Sequence, residues 1–235
     1  DELVIPKLKK TERTVDFGAG RCAYVNALAG QGYDIVAYEP HFQKKGKLDV
    51  QEVVRQIRVL ERRLKTGGLM DCVILDSVLN SVVNSHFEHA VMTTCNALLK
   101  PDGKIFVGTR NLLFCQRLLT FKVNSGHTRE LQFLDKENFG ATFRSGVWTM
   151  QHFHSPESLV ELLGRYFRRV ELDTERTNSQ LRAMAWEPLP LDRDKVLSAI
   201  SEEFNMEYPG GYHHNCHKEL VNVLMELFDN RAKLC

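Results

Sequence analysis

The sequence lacks the features of membrane, secreted and low-complexity proteins. No apolar run approaches the roughly 18 residues that a membrane span requires, and Asp1–Lys10 is polar and basic rather than a secretory signal. The 6 Cys show no repeated spacing, which argues against a disulfide framework or a cysteine-based zinc site. With 15 Gly and 7 Pro in 235 residues, low-complexity and collagen-like chains are excluded. We therefore expect a globular cytoplasmic protein with reduced thiols and no membrane contact.

The chain also lacks an excess of charge of one sign, because 31 Lys and Arg face 30 Asp and Glu, for a net charge of +1. This balance does not indicate a polyanionic partner. Residues 41–68 depart from it, with eight basic and three acidic side chains. Such an excess is typical of a solvated helix face, and a nucleic-acid or phosphate-binding patch is the alternative. The basic residues are Lys44, Lys45, Lys47, Arg55, Arg58, Arg62, Arg63 and Lys65.

Short apolar segments alternate with helical patterns through the first half of the chain. From Val50 to Leu64, apolar residues recur at steps of three or four, which predicts an amphipathic helix. Alternation of strands and helices predicts an α/β fold with a parallel sheet and right-handed crossovers. The predicted strands are Thr14–Phe17, Tyr33–Tyr38, Cys72–Leu75 and Lys104–Thr109, and the other helices are Arg21–Ala29 and His86–Leu99, the last stopped by a Lys100–Gly103 turn.

The second half of the chain divides into an insertion, a closing unit and a helical extension. Residues 111–150 break the alternation, and we expect an insertion after the fifth strand that forms a lid or substrate-contacting subdomain. A packed excursion that only adds stability is the alternative. Residues 1–190 are then one domain, and 191–235 a helical extension packed on it. Since the first residue is Asp rather than Met, we also expect a further domain upstream.

The strongest motif is T-V-D-F-G-A-G at 14–20, between a strand and a helix. Gly18 and Gly20 let the backbone approach a ligand closely, and Glu39 ends the next strand, where a carboxylate can accept hydrogen bonds from ribose hydroxyls. A dinucleotide fingerprint would have its third glycine at Ala23. Asp16 would repel a pyrophosphate but suits a ligand that carries an ammonium and a sulfonium group. The pattern therefore favours a sulfonium nucleoside over a dinucleotide.

With these motifs the sequence resembles the class I S-adenosylmethionine-dependent methyltransferases, over about three quarters of the chain. V-D-F-G-A-G matches their first motif, Tyr38-Glu39-Pro40 the ribose-binding strand end, and L-L-K-P-D-G-K-I-F-V the approach to the fifth strand. Within this family, V-L-N at 78–80 and the C-terminal Y-P-G-G-x-H are most similar to methyltransferases associated with ParB-like or DNA-modification proteins. The resemblance implies a Rossmann-like sheet flanked by helices, with S-adenosylmethionine as cofactor.

The resemblance also implies a set of donor-binding residues. The sequence departs from the pattern of this family at two places. Cys22 stands in place of a third loop glycine, and no third strand is recognisable between Pro40 and Leu69. The second departure leaves the recognition of adenine open. The implied donor-binding residues are Asp16, Phe17, Gly18, Ala19, Gly20, Glu39, Pro40, Asp76 and Ser77.

The acceptor side is less defined. The fourth-strand sequence Asp76–Leu79 has neither the two prolines nor the aromatic of enzymes that methylate exocyclic amines of bases. We predict no metal site; for the cluster at 213–217 (His213, His214, Cys216, His217), polar packing, a metal or a substrate contact all stay open. The catalytic residues are unassigned, and the candidates, each with a structural role as alternative, are Asn80, Arg110, Asn111, His152 and His154.

The sequence therefore predicts a methyltransferase with an unidentified acceptor. The alternatives are a catalytically silent methyltransferase fold that serves as a binding or scaffolding module, a nucleic-acid-modifying methyltransferase, and a nucleotide-dependent oxidoreductase.

Overall fold

A computed structural model describes residues 3–120, 130–144, 146–173 and 179–233. Two short 3₁₀ turns, at Ile5–Lys7 and Leu79–Ser81, accompany the main elements. In chain order these are β1 (Thr14–Phe17), α1 (Ala23–Gly30), β2 (Ile35–Tyr38), β3 (Gln43–Lys44), β4 (Lys47–Leu48), α2 (Val50–Gly67), β5 (Met70–Asp76), α3 (Ser85–Leu98), β6 (Leu99–Asn111), α4 (Leu112–Thr120), β7 (Glu130–Phe133), β8 (Phe139–Arg144), β9 (Val147–His154), α5 (Pro156–Gly164), β10 (Phe167–Leu172), β11 (Gln180–Pro188), α6 (Arg193–Glu203) and α7 (Lys218–Ala232).

A nine-stranded sheet organises the molecule, and its parallel part has the order β2-β1-β5-β6. Beyond β6 the sheet continues through antiparallel β11 and then β10. The crossovers between parallel strands are helices, as the alternating sequence pattern predicts. The predicted Rossmann-like α/β fold is therefore confirmed. Because β1, β2 and β5 are parallel, their carboxyl ends lie at one edge of the sheet, where ligands bind in such folds.

The central helices follow directly from local sequence signals. Helix α2 begins at the N-cap Asp49, whose carboxylate accepts a hydrogen bond from the Glu52 N–H at 3.1 Å, and it buries Val53, Ile57, Leu60 and Leu64. Its last turn ends at a glycine with positive φ, a conformation that costs other residues strain. Among the described residues, no helix is both long and apolar enough to cross a membrane.

The segment between β2 and α2 contains no third strand of the main sheet, in agreement with the sequence analysis. Residues 43–48 form only the two-stranded hairpin β3–β4, and β2 is the edge of the sheet. One boundary differs from the prediction. Strand β6 begins at Leu99, directly after α3, and the predicted turn at Lys100–Gly103 is a bulge inside the strand, seen as a register shift against Met70 and Cys72.

The predicted insertion consists of α4 and the antiparallel strands β7, β8 and β9. Residues 121–129 of the insertion lie outside the described residues. The last two residues of β9, Phe153 and His154, pair in parallel with Arg110 and Asn111 at the end of β6. Through this pairing β9 joins the main sheet. The insertion is therefore attached beyond the carboxyl end of β5, above the edge that carries the predicted donor-binding residues. A lid function stays a prediction.

The C-terminal helices pack on the same core as the sheet. Helix α6 contacts α3 and helix α7 contacts α2, and both contribute side chains to the large apolar cluster. The buried Arg231 of α7 donates hydrogen bonds to the carbonyls of Asn96 (2.6 Å) and Leu99 (2.8 Å), and to the Asn96 amide oxygen (2.8 Å). The Asn96 amide nitrogen in turn donates to the carbonyls of Tyr166 and Leu189. One buried guanidinium thus links the extension to the junction of α3 and β6.

Replacement of Arg231 by Met should lower the free energy of unfolding by about 3 kcal/mol, because it leaves buried carbonyls at Asn96 and Leu99 without donors. Urea denaturation of the two proteins measures the difference. Arg193→Met is the matched control, since Arg193 forms an exposed pair with Asp229 between α6 and α7; it should cost at most about 1 kcal/mol. Equal costs for the two variants would contradict the structural role of Arg231.

Candidate functional site

The loop after β1 is tied to the end of β2 through its backbone. The N–H groups of Gly18 and Ala19 both donate to the Tyr38 carbonyl, at 2.8 and 3.1 Å. Gly18 has φ +81°, and a Cβ at this position would overlap the Cγ2 atom of Val78 in the loop after β5. Only glycine satisfies both conditions, so the two loops can lie in direct contact.

Glu39 points into this loop from the end of β2. One carboxylate oxygen accepts a hydrogen bond from the Gly20 N–H at 2.7 Å, and the other accepts from the His41 N–H at 2.9 Å. Its own N–H donates to the side-chain oxygen of Gln56 in α2. The carboxylate is therefore held beside Gly18–Gly20, as the sequence analysis expects, with its charge accessible at a half-buried position.

Three carboxylates come together at the carboxyl ends of β1, β2 and β5. Asp16 is buried, with 6% of its surface exposed, and Asp76 is exposed at the end of β5. Burial, and then the negative charges of Asp76 and Glu39, raise the pKa of Asp16 to about 7. Three converging carboxylates with which no described Lys or Arg forms an ion pair favour a positively charged ligand.

The end of β5 is shaped by close backbone packing. The Asp76 carboxylate lies against Gly108 of β6, where a Cβ would overlap it. Ser77 adopts a left-handed conformation with φ +63°, and its N–H donates to the Gly108 carbonyl at 2.8 Å. The Ser77 hydroxyl lies 3.3 Å from an Asp76 carboxylate oxygen. Both side chains are exposed and are thus available to a ligand.

Phe17 and Pro40 lie at the site with their side chains directed elsewhere. The Phe17 ring is 1% exposed and packs on Tyr38 with 4.9 Å between the ring centroids, so that this residue offers only backbone atoms to the crevice. Pro40 is buried, and its carbonyl accepts a hydrogen bond from the Tyr208 hydroxyl at 2.9 Å. Its position supports the loop that carries Glu39.

Two residues near the crevice lie outside the predicted donor-binding set. Cys22, noted above in place of a loop glycine, adopts the left-handed conformation with φ 57° at the N-cap position of α1, and its thiol lies 3.6 Å from the Gln56 amide. The Tyr24 hydroxyl is buried without a hydrogen-bond partner among the described residues. Burial, then the charges of Asp16 and Asp76, raise the pKa of Tyr24 to about 12. Residue spacing could not reveal this hydroxyl, because its orientation depends on how α1 packs.

The acceptor-side candidates are distributed around the root of the insertion. Asn80 is buried, and its amide nitrogen lies 3.4 Å from the Gln151 side chain of β9. Its amide oxygen has no partner among the described atoms. Arg110 is half-buried in β6 between β9 and β11. Asn111 is buried, and its side-chain oxygen accepts from the Leu113 N–H at the start of α4. A catalytic role for any of them stays a prediction.

His152 and His154 are brought together with Glu88 of α3 instead of lying open to solvent. One Glu88 carboxylate oxygen is 2.6 Å from His152 Nδ1 and 3.0 Å from His154 Nε2. All three side chains are at most 8% exposed. Burial alone would raise the pKa of Glu88, but the close contacts and charges of the two histidines outweigh it and lower that pKa to about 2. Glu88 was not predicted as a site residue, because 64 positions separate it from His152.

The C-terminal residues 213–217 do not form a comparable group. His213 Nδ1 contacts the Asn205 carbonyl, and His214 Nδ1 accepts from the Cys216 N–H. Among the described residues, only Glu88, His152 and His154 meet the geometric requirement for a shared ion. The local hydrogen bonds favour polar packing before α7 as the role of this segment.

Replacement of Asp16 by Asn should stabilise the ligand-free protein more at pH 8 than at pH 5. The folded-state pKa of about 7 exceeds the ordinary value of 3.8. The contribution of Asp16 therefore lowers the free energy of unfolding progressively as the pH rises from about 4 to 7. Asn keeps the shape and removes the charge. The extra gain at pH 8 should be on the order of 2 kcal/mol, measured by urea denaturation at both pH values. The same gain at both pH values would contradict a raised pKa.

Comparison with known proteins identifies the family. A family model described as a methyltransferase domain matches residues 2–166. No curated protein matches the chain in sequence. The solved structure of the PH0226 protein from Pyrococcus horikoshii OT3 is similar with a TM-score of 0.54 at 14% identity, over 80% of this chain and 88% of that chain; this likeness shows the same fold.

Two further structures are more distantly similar. The CcbJ methyltransferase from Streptomyces caelestis has a TM-score of 0.48 at 13% identity, over 79% of this chain and 92% of that chain. The 1,6-didemethyltoxoflavin-N1-methyltransferase of Burkholderia thailandensis has 0.44 at 13%, over 74% and 70%. Because the family model covers more than half of the sequence, the chain belongs to the methyltransferase domain family, which confirms the predicted methyltransferase class.

Proposed function

We propose that the protein transfers a methyl group from S-adenosylmethionine, bound at the carboxyl ends of β1, β2 and β5. The observation that carries this proposal is the convergence of Asp16, Glu39 and Asp76 around the Gly18–Gly20 loop. S-adenosylmethionine carries a sulfonium and an ammonium group, and both positive charges are favoured in a site lined by carboxylates. Family membership supports the same reaction.

In this proposal each residue at the sheet edge has a distinct task. Glu39 binds the ribose hydroxyls, and its hydrogen bonds with Gly20 and His41 hold the carboxylate in the loop before the donor arrives. Asp16 faces the methionine part of the donor and ionises when the cation binds. Gly18 and Gly20 line the donor with backbone, and a Cβ at Gly20 would meet no described atom within 4 Å.

Asp76 and Ser77 lie between the donor site and the acceptor side. Methyl transfer is an in-line displacement in which the acceptor's lone pair attacks the methyl carbon and the sulfonium leaves as a thioether. The protein therefore mainly has to align the two reactants, and a base is needed only for a protonated nucleophile. The loop from Asp76 to Asn80 contacts β9 of the insertion, so the acceptor would bind between this loop and the inserted strands.

A nucleic-acid acceptor is the weaker alternative. Of the basic residues at 41–68, Arg55 pairs with Glu52, Arg63 with Asp34, and Lys65 with Glu61 and Glu219. Glu52 and Glu61 already count among the three acidic residues of this segment, so only Asp34 and Glu219 reduce its excess of eight basic over three acidic side chains, from five to three. The narrower resemblance to ParB-associated or DNA-modification methyltransferases, the cytoplasmic location and an upstream domain all stay predictions.

Calorimetric titration with S-adenosylhomocysteine should show one site per chain. Glu39→Gln and Asp16→Asn should each weaken binding by about 10-fold or more, since each removes a charge-assisted contact. Glu12→Gln is the matched control: this carboxylate lies at the opposite end of β1 and pairs with Lys104, so affinity should not change. Unchanged affinity in both site variants would refute the assignment of the donor site.

Affinity for S-adenosylmethionine itself should rise between pH 6 and pH 8 by up to about 10-fold, because Asp16, with a pKa of about 7, must ionise to receive the cation. Asp16→Asn should abolish this dependence. Absence of donor binding at any pH would favour the silent scaffold, and binding of NADH in its place would favour an oxidoreductase.

A further inference from the structure

The contact between α3 and the inserted strands is made by an unusual group of buried polar side chains. Glu88, His152 and His154 each offer one ligand atom, and these atoms all lie within 4.8 Å of one another. Two imidazole nitrogens approach the same carboxylate oxygen, at 2.6 and 3.0 Å. Two histidines and one carboxylate form a ligand set that proteins use for divalent transition metals.

The hydrogen bonds of His152 fix which of its nitrogens can act as a ligand. Its Nε2 lies 3.0 Å from the Glu137 carbonyl oxygen, which can only accept, so Nε2 carries the hydrogen. In the neutral ring the Nδ1 lone pair then points at the Glu88 carboxylate. Two lone pairs cannot face each other at 2.6 Å without a positive charge between them. Donation of the second ring nitrogen to a backbone carbonyl is also the usual outer contact of a metal-binding histidine.

His154 provides a second, independent indication that this group binds a ligand. Its Nε2 atom is buried and makes no well-aligned hydrogen bond with any described atom, although it is directed at Glu88 at 3.0 Å. A buried nitrogen of this kind is costly unless a ligand completes it. No Lys or Arg forms an ion pair with Glu88 among the residues that the structure describes.

Aromatic packing and regular secondary structure surround the three side chains. The Phe139 ring stacks on His152 with 3.9 Å between the centroids and 8° between the planes. His154 lies next to Asn111 in the β9–β6 pair, and Glu88 lies in the first turn of α3. The three side chains are thus positioned by a strand pair and a helix, the kind of support that keeps a metal site in shape.

We propose that Glu88, His152 and His154 bind one divalent transition-metal ion, of the Zn²⁺ type, that fastens the inserted strands to α3. Ligand distances of about 2.0–2.2 Å around one ion require the Glu88 oxygen and the two imidazole nitrogens, now 2.6 and 3.0 Å from it, to separate to about 3.4 Å. The site is separate from the proposed donor site, and the ion's role is structural: it fixes β9 above the end of β5.

The metal-stripped full chain should bind one equivalent of Zn²⁺ in a calorimetric titration, with a rise in the thermal midpoint that saturates at one equivalent. Glu88→Gln and His154→Gln should each weaken Zn²⁺ binding by more than about 100-fold, beyond the loss typical of outer contacts. The double variant His86→Gln/Glu202→Gln is the matched control. It removes an exposed histidine–carboxylate pair whose histidine also lies on α3. The Zn²⁺ affinity of this variant should equal that of the unmodified chain.

Loading with Co²⁺ provides a measurement that needs no variant. Visible absorption bands typical of a four- or five-coordinate nitrogen–oxygen site, at one equivalent, support the proposal even if Glu88→Gln does not fold. Absence of stoichiometric binding of either metal overturns it and leaves the group as an ion pair held by a proton. Binding that persists unchanged in a folded Glu88→Gln or His154→Gln variant also overturns it, because the ion then lies elsewhere. S-adenosylhomocysteine binding is measured alongside, so that failure of this proposal is distinct from failure of the donor site.

Discussion

The burial of Asp16 beside two other carboxylates is the constraint on which the site depends. A carboxylate at 6% exposure loses most of its hydration, and the charges of Asp76 and Glu39 add repulsion. Such an arrangement disfavours the folded state at neutral pH and is relieved when a cation binds. Natural proteins keep strain of this kind mainly where a ligand compensates for it. The unfavourable burial of Asp16 at this edge of the sheet therefore supports the binding of a cationic methyl donor there.

The C-terminal helices support this edge from the side where a third strand is missing. Because β2 is the last strand of the sheet, its end is held by residues far along the chain. The Tyr38 hydroxyl donates to the Glu203 carbonyl at 2.8 Å, its ring packs on Phe204, and the Tyr208 hydroxyl binds the Pro40 carbonyl. Position and orientation of Glu39 therefore depend on the segment from α6 to α7, even though these helices contribute no residue to the predicted donor site.

Local signals in the sequence were sufficient for most of the fold. The strand Thr14–Phe17 has the predicted bounds, and α3 begins one residue before its predicted start. Ser155 is a typical N-cap residue and caps α5, since its hydroxyl accepts from the Ser158 N–H at 3.1 Å. The Lys100–Gly103 segment was interpreted as a turn because Pro, Asp and Gly dominate it, but pairing of Leu99 with Met70 keeps it within a strand. Tertiary pairing overrode local preference there.

The site was predictable only where its residues are close in sequence. Motif spacing identified Gly20 and Glu39, and the Gly20 N–H donates to the Glu39 carboxylate at 2.7 Å. Two contacts at the site join segments that are far apart in the sequence: Gly18 lies against Val78, and Glu88 lies against His152. No periodicity in the sequence predicts such contacts. His152 and His154 were recognised from the sequence as polar candidates. Their shared partner Glu88 on α3 could not be recognised in this way, because the contact depends on how the insertion packs.

The same packing divides the insertion into two parts with different physical properties. At its root, β9 is held by the pairing with β6, by Asn80 and Gln151, and by the Glu88 group, all of them buried or half-buried. At its outer turn, Val147 is 58% exposed and Trp148 is 47% exposed. A fixed root defines the space beside Asp76 and Ser77, whereas exposed apolar side chains at the outer turn lie where an acceptor or partner can be contacted. Under the proposed function, the inserted strands would determine acceptor choice, and the sheet edge beneath them would bind the donor.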